Sequence, residues 1–213
     1  MQTTTPLQPS NFQKYGTRNP LMQRVIARFL DRIGHHVEQL QPERVVDLGC
    51  GEGFTLMSLR QRGLDFDYLG LELNPMALDL ARANAPDERF EQADLLERHP
   101  AGDHADLAIC LEVLEHLDDP DEAVARIARW TSHTALLSVP WEPWFRLGNF
   151  CRGKYLDNWG NHPEHIQQFN RGSFAALISK YFDSVQIDTC FPWIIAVATN
   201  VNETLASGED ALE

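Results

Sequence analysis

One stretch narrows the possible folds of this chain more than any other: VVDLGCGEGFT, from Val45 to Thr55. An apolar run ends in Asp47, glycines follow at alternate positions (Gly49, Gly51, Gly53), and a helical pattern starts at Phe54. Glycines at such a bend admit backbone conformations closed to other residues and let a ligand approach the main chain. The helix that follows offers unpaired N–H groups at its start. A strand, a glycine bend and a helix in that order form a cradle for a nucleotide-type ligand.

The rest of the chain extends the same pattern. Short apolar runs predict strands over Val45–Leu48, Tyr68–Leu73, Arg89–Ala93, Leu107–Leu111 and Ala135–Val139, with helices over Phe54–Arg62, Pro75–Asn84 and Pro120–Trp130 between them. Strands alternating with helices build βαβ units, whose right-handed crossovers put helices on both faces of a parallel sheet. A helix over Arg171–Tyr181 and strands over Ser184–Asp188 and Trp193–Thr199 follow, with a reversal at Phe191-Pro192 that suits an antiparallel edge. The expected fold is α/β and Rossmann-like: a mostly parallel seven-stranded sheet with helices on both faces and an antiparallel edge strand.

Around this body, residues 1–43 read as an N-terminal arm and a cap helix. Leu21, Val25, Phe29, Ile33 and Val37 recur at helical spacing, with Arg24, Arg28 and Arg32 between them. Residues 44–200 form the main domain, within which 141–170 has weak periodicity and reads as an insertion or lid. The last residues, 201–213, carry acidic groups and no basic one, and read as a flexible tail.

Composition sets limits on the partners. At 43% hydrophobic residues the chain can build a core, and its longest apolar runs fall well short of a bilayer span. With 18 basic and 31 acidic residues the net charge is −13, which opposes binding to a phosphate backbone or an anionic membrane. The charge is uneven: residues 1–44 hold six basic and three acidic groups, residues 45–200 twelve and twenty-four. Cys50, Cys110, Cys151 and Cys190 follow no zinc or disulfide spacing, which fits free thiols in a reducing compartment. These features predict a cytoplasmic protein without membrane insertion and without a nucleic-acid partner; the oligomeric state stays open.

A dinucleotide fingerprint requires a third glycine where this chain has Phe54, and the glycine falls one residue early. The pattern instead resembles motif I of the class I S-adenosylmethionine-dependent methyltransferases. Glu72 closes the second strand in LGLELNP, where a carboxylate can accept from both hydroxyls of a ribose, and Asp94 follows the third in QADLLE. Three carboxylates at successive strand ends match the rule that ligands bind outside the carboxyl edge of such sheets. The resemblance, which covers roughly Arg44 to Val139, implies S-adenosyl-L-methionine as cofactor. It implies that Asp47, Gly49, Cys50, Gly51 and Gly53 hold the methionine end. Glu72 and Leu73 would hold the ribose, Asp94 and the Leu95 N–H the adenine, and Glu112 would complete the set.

In LAICLEVLEHL, the order Glu112-x-x-Glu115-His116 resembles the ubiquinone-type and small-molecule branch of that family, the methyltransferase type 11-like enzymes. The N-P-P-[YF] tetrad of amino-methylating nucleic-acid enzymes is absent, which disfavours DNA-base methylation. His116 has two readings, a general base for an acceptor hydroxyl or a capping residue of its own loop. His165, in HPEHIQQFN, is the second candidate base. Glu112, Glu115, His116 and a later histidine also resemble the metal site of small-RNA terminal 2′-O-methyltransferases, but the metal expectation is none, since metal-independent relatives share the pattern. Trp141, Trp144, Phe145, Trp159 and Phe169 either pack the insertion or recognise an acceptor. Tyr15 and the arm are expected to close the site from the other side. The leading reading is O-methylation of a small-molecule acceptor. A metal-dependent RNA 2′-O-methyltransferase, an NAD-dependent oxidoreductase and a non-catalytic cofactor-binding protein are the alternatives.

Overall fold

A computed structural model describes residues 19–98, 100, 102, 104–142 and 167–202. Helix α1 (Pro20–Leu40) leads into β1 (Arg44–Leu48), α2 (Phe54–Gln61), β2 (Asp67–Glu72), α3 (Pro75–Asn84), β3 (Arg89–Gln92) and β4 (Ala105–Leu111). A single 3-10 turn (Leu114–His116), α4 (Pro120–Trp130), β5 (Thr131–Pro140), α5 (Arg171–Ile178), β6 (Phe182–Cys190) and β7 (Trp193–Val201) complete it.

Helix starts are written in the sequence. Asn19, Asn74 and Asp119 each precede a proline, and each side chain accepts from backbone N–H groups of the first turn. Proline at the first helical position loses no hydrogen bond, and an Asx cap supplies the acceptor that the free N–H groups need. Helix α5 starts with a reciprocal box between Asn170 and Ser173.

The seven strands form one sheet in the order β3-β2-β1-β4-β5-β7-β6. Pairs from β3 through β5 are parallel, whereas β7 runs against both of its neighbours. The strand that opposes the rest therefore lies one place in from the rim, and β6 takes the edge itself. The turn between β6 and β7 contains a cis Phe191–Pro192 peptide.

Successive side chains alternate between two apolar layers, as the period of a strand requires. Val46, Ala108, Cys110 and Leu137 pack with Ala123, Ile127 and Trp130 of α4 and Phe174 of α5. Val45, Leu107, Ile109 and Leu136 pack on the other face with Phe29 and Ile33 of α1, Leu56 of α2 and Leu78 of α3. Helix α1 is thus a layer of the main core: Phe29 meets Trp193 of β7 at 4.5 Å between ring centroids, and His36 Nε2 lies 2.9 Å from Asp188 Oδ2 of β6. Among the described residues no helix is long and apolar enough to cross a membrane.

The strand order fixes where a ligand can sit. From β1 the chain moves outward to β2 and β3, then returns to the opposite side of β1 to form β4. The crossovers diverge there, which opens a crevice at the carboxyl ends of β1 and β4.

Candidate cofactor and acceptor site

The turn leaving β1 occupies that crevice. Gly49 and Cys50 both donate their N–H to Leu71 O, at 2.8 and 3.0 Å, which pins the turn to β2. Gly49 has φ +83°, and a Cβ on it would fall 2.5 Å from Val113 Cγ2. Backbone conformation and space thus both demand glycine there. Gly51 and Gly53 also have positive φ, at 55° and 78°, and Gly53 caps α2. The apolar pattern continues at Phe54 because the helix begins with that residue.

Glu72 ties the second strand to this turn. Its Oε2 accepts from Gly51 N at 2.9 Å and its Oε1 from Asn74 N at 2.8 Å. Each carboxylate oxygen has two acceptor positions, so each retains one for a further donor. Leu73, the next residue, is exposed, and its carbonyl accepts from Gln92 Nε2 at 3.2 Å. Asp94 Oδ1 accepts from Leu96 N at 2.8 Å, and the Leu95 side chain enters the core.

Asp47, Gly49, Cys50, Glu52, Phe54, Thr55, Leu111 and Glu112 line a cleft of about 380 Å³, its open mouth included. Three of these eight residues are acidic, so the cleft favours a positively charged group. Burial raises the Asp47 carboxyl from its usual range to about 7; a hydrogen bond from the Tyr68 hydroxyl, 3.1 Å from Oδ2, opposes that rise, and nearby Glu72 adds to it. Burial, with Asp47 and Glu72 close by, pushes the Cys50 thiol up, so it stays protonated and unreactive. Glu112 has φ +57° and donates its N–H to Ser138 O at 3.0 Å, which holds the residue where β4 ends beside β5.

His116 closes the 3-10 turn beyond Glu112. Its imidazole is about one-third exposed, with Nε2 4.0 Å from Oε1 of the buried Glu115. Gln167 binds this same turn: its N–H donates to Glu115 O at 3.1 Å and its amide to Leu117 O and Asp118 O. Trp141 bridges to Phe169, and Glu142 N donates to Phe169 O at 3.0 Å. The two flanks of 143–166 therefore meet next to His116. His165, Trp144, Phe145, Trp159 and Tyr15 lie outside the described residues.

The structure brings together Asp47, Gly49, Cys50, Gly51, Gly53, Glu72 and Glu112 around one crevice. It adds residues that sequence reasoning passed over: Glu52, Phe54, Thr55 and Leu111 in the lining, Val113 against Gly49, and Tyr68 beneath Asp47. A tyrosine inside an otherwise aliphatic strand was the available signal for the last of these.

A doubly wound sheet with a glycine turn and acidic strand ends at its switch point defines a nucleotide-binding α/β protein of the class I methyltransferase type. The model of the methyltransferase domain family matches residues 17–181, and the chain belongs to that family. It is 31% identical over 120 residues to the ubiquinone biosynthesis O-methyltransferase of Acinetobacter baylyi, covering 53% of this chain and 46% of that protein. The chain thus spans about half the length of the curated relatives it matches, and these lie in the branch that Glu112-x-x-Glu115-His116 implied. Magnesium protoporphyrin IX methyltransferase from Synechocystis PCC 6803, solved with bound SAH, superposes with a TM-score of 0.66 at 16% identity, covering 89% of this chain and 91% of that one. The small RNA methyltransferase HEN1 gives 0.65 at 20% identity, covering 82% of this chain and 25% of that one. These two likenesses are of fold.

Proposed function

We propose that the protein transfers a methyl group from S-adenosylmethionine to a hydroxyl of a small-molecule acceptor. The observation that carries this reading is the acidic glycine-lined cleft at the switch point of a methyltransferase-family sheet. The choice of oxygen and of a small acceptor is supported by the kinship with ubiquinone biosynthesis O-methyltransferases.

The cleft suits that cofactor on its own chemistry. Gly49 keeps clear the space a side chain would fill, and Asp47 and Glu112 offer carboxylates to a cationic amino-acid end. Glu72, already fixed by two backbone donors, has an acceptor position on each oxygen for a ribose diol. Asp94 and the Leu95 N–H would read an adenine edge. When bound, S-adenosylmethionine supplies a methyl already activated by a sulfonium. The protein's task is to align the acceptor and exclude water, and orientation of that kind can account for much of the rate. His116, with Nε2 4.0 Å from Glu115 Oε1, would take the acceptor's proton as general base. Gln167, bonded to the His116 turn, and Phe169, bonded to Glu142, put the neighbourhood of His116 forward as the acceptor side of the cleft.

Incubation with radiolabelled S-adenosylmethionine and the fractionated small molecules of a cell extract tests the reading. Label is expected in a methyl ether, and none in any acceptor would overturn it. His116→Ala is expected to lower kcat by about 10²–10⁴-fold while cofactor affinity stays unchanged. The second reading, a metal-dependent RNA 2′-O-methyltransferase, rests on the Glu112, Glu115, His116 pattern with a later histidine and turns on His165; activity lost to EDTA and restored by manganese would select it.

A further inference from the structure

We propose that Tyr68 is a positioning residue that holds Asp47 ready for the positively charged end of the cofactor, and that cofactor binding there expels a proton from the Asp47 carboxyl. The inference rests on the cofactor reading above.

Geometry connects the two residues. Tyr68 of β2 pairs in register with Val45 of β1, and Asp47 lies two residues further along on the same face. Two residues of strand advance about 6.6 Å, which a tyrosine side chain can span. Its hydroxyl arrives 3.1 Å from Asp47 Oδ2, fully buried, with the ring edge-on to Phe90 at 5.7 Å. Gly70, opposite Asp47, leaves the space: a Cβ there would meet Phe90 Cδ1 at 2.6 Å and Cys50 Sγ at 2.9 Å. Asp47 is thus anchored from beneath by a neutral donor and open to the cleft above.

Among the described residues Asp47 has no counterion. The described titratable groups that interact with Asp47 are Tyr68 and Glu72 of β2, Cys50 of the turn and Cys110 of β4, and Glu52 and Glu112 line the same cleft. None of these carries a positive charge. Burial therefore favours the protonated acid. A cation entering the cleft reverses that preference: the O–H bond of Asp47 breaks, the electron pair stays on the carboxylate, and the proton leaves through the open cleft to buffer. Tyr68 favours the same outcome, because a hydroxyl donates more strongly to a carboxylate than to a carboxylic acid.

Titration calorimetry of the full chain with S-adenosylmethionine, in buffers of different ionisation enthalpy, tests this. Near pH 6 binding is expected to release about one proton, falling to about zero near pH 8, with affinity rising over that interval. Tyr68→Phe keeps the ring and removes the hydroxyl; the midpoint of the affinity profile should move up by about one pH unit. A purely structural tyrosine would leave that midpoint in place, and superimposable profiles would overturn the proposal. Asp47→Asn gives a second arm should the phenylalanine variant fold poorly: its profile should be flat with no proton release, and a retained pH dependence would sink the inference. Wild-type binding without proton release overturns this coupling alone. No binding at any pH overturns the cofactor reading with it.

Discussion

Burial makes Asp47 a liability to the fold once it ionises. Its folded-state carboxyl sits near 7 against an ordinary value of 3.8, so the native state binds the proton more tightly than the unfolded chain does. Stability linked to this group is complete below the unfolded value and is lost as pH rises toward 7, at about 1.4 kcal/mol per pH unit. Asp47→Asn should therefore gain stability relative to the wild type between pH 5 and 7, as read by urea melts without cofactor; parallel melts at both pH values would contradict it. Gly49 sets the opposite constraint: Gly49→Ala places a side chain at φ +83° against Val113. A loss of about 1–3 kcal/mol is expected in the same melts, together with loss of cofactor affinity in calorimetry. Asp47 and Glu72 were legible in the sequence because a carboxylate at a strand end is conspicuous. The strut role of Glu72 toward Gly51 and Asn74 was not, since it depends on where two backbone N–H groups point. Tyr68 shows in the sequence only as the first residue of a short strand run, with nothing local to tie its hydroxyl to Asp47.

Helix and strand boundaries show which signals survive in one dimension. The starts of α2, α3, α4 and α5 fall where the sequence places them. For α3 and α4, Asn-Pro and Asp-Pro pairs encode cap and first turn locally. Strands extend beyond their apolar centres: β1 takes in Arg44, β2 begins at Asp67, and β5 runs from Thr131 to Pro140. Backbone pairing recruits those polar flanks, and no local pattern announces it. Helix α5 stops at Ile178 because Lys180 and Tyr181 fold into a closing turn on Leu177 and Ile178. The cap at α3 also touches the site, as Asn74 supplies a side chain to the helix and its N–H to Glu72. Asn74→Ala is expected to cost about 1 kcal/mol in denaturant melts and to weaken cofactor binding as the first turn frays. Unchanged affinity would separate helix from site.

Across the whole molecule, the parallel half of the sheet followed from strand–helix alternation, and the place of β7 between β5 and β6 did not. That insertion depends on a pairing between the Thr131–Pro140 strand and the last strand of the chain, a contact set by the assembled core. Charge acts at the same scale. A net charge of −13 should leave the protein without measurable affinity for a short single-stranded RNA at about 150 mM salt, by fluorescence anisotropy, and a clear binding isotherm would favour the RNA reading. The joining of Trp141 to Phe169 has a consequence for how such enzymes diversify. A stretch of chain whose two ends are fastened side by side is a replaceable cassette: lengthening it twofold costs only about 0.6 kcal/mol of closure entropy. Substitutions between these two fastened ends can therefore accumulate without disturbing the pairing of β5 with β7 or the glycine turn after β1.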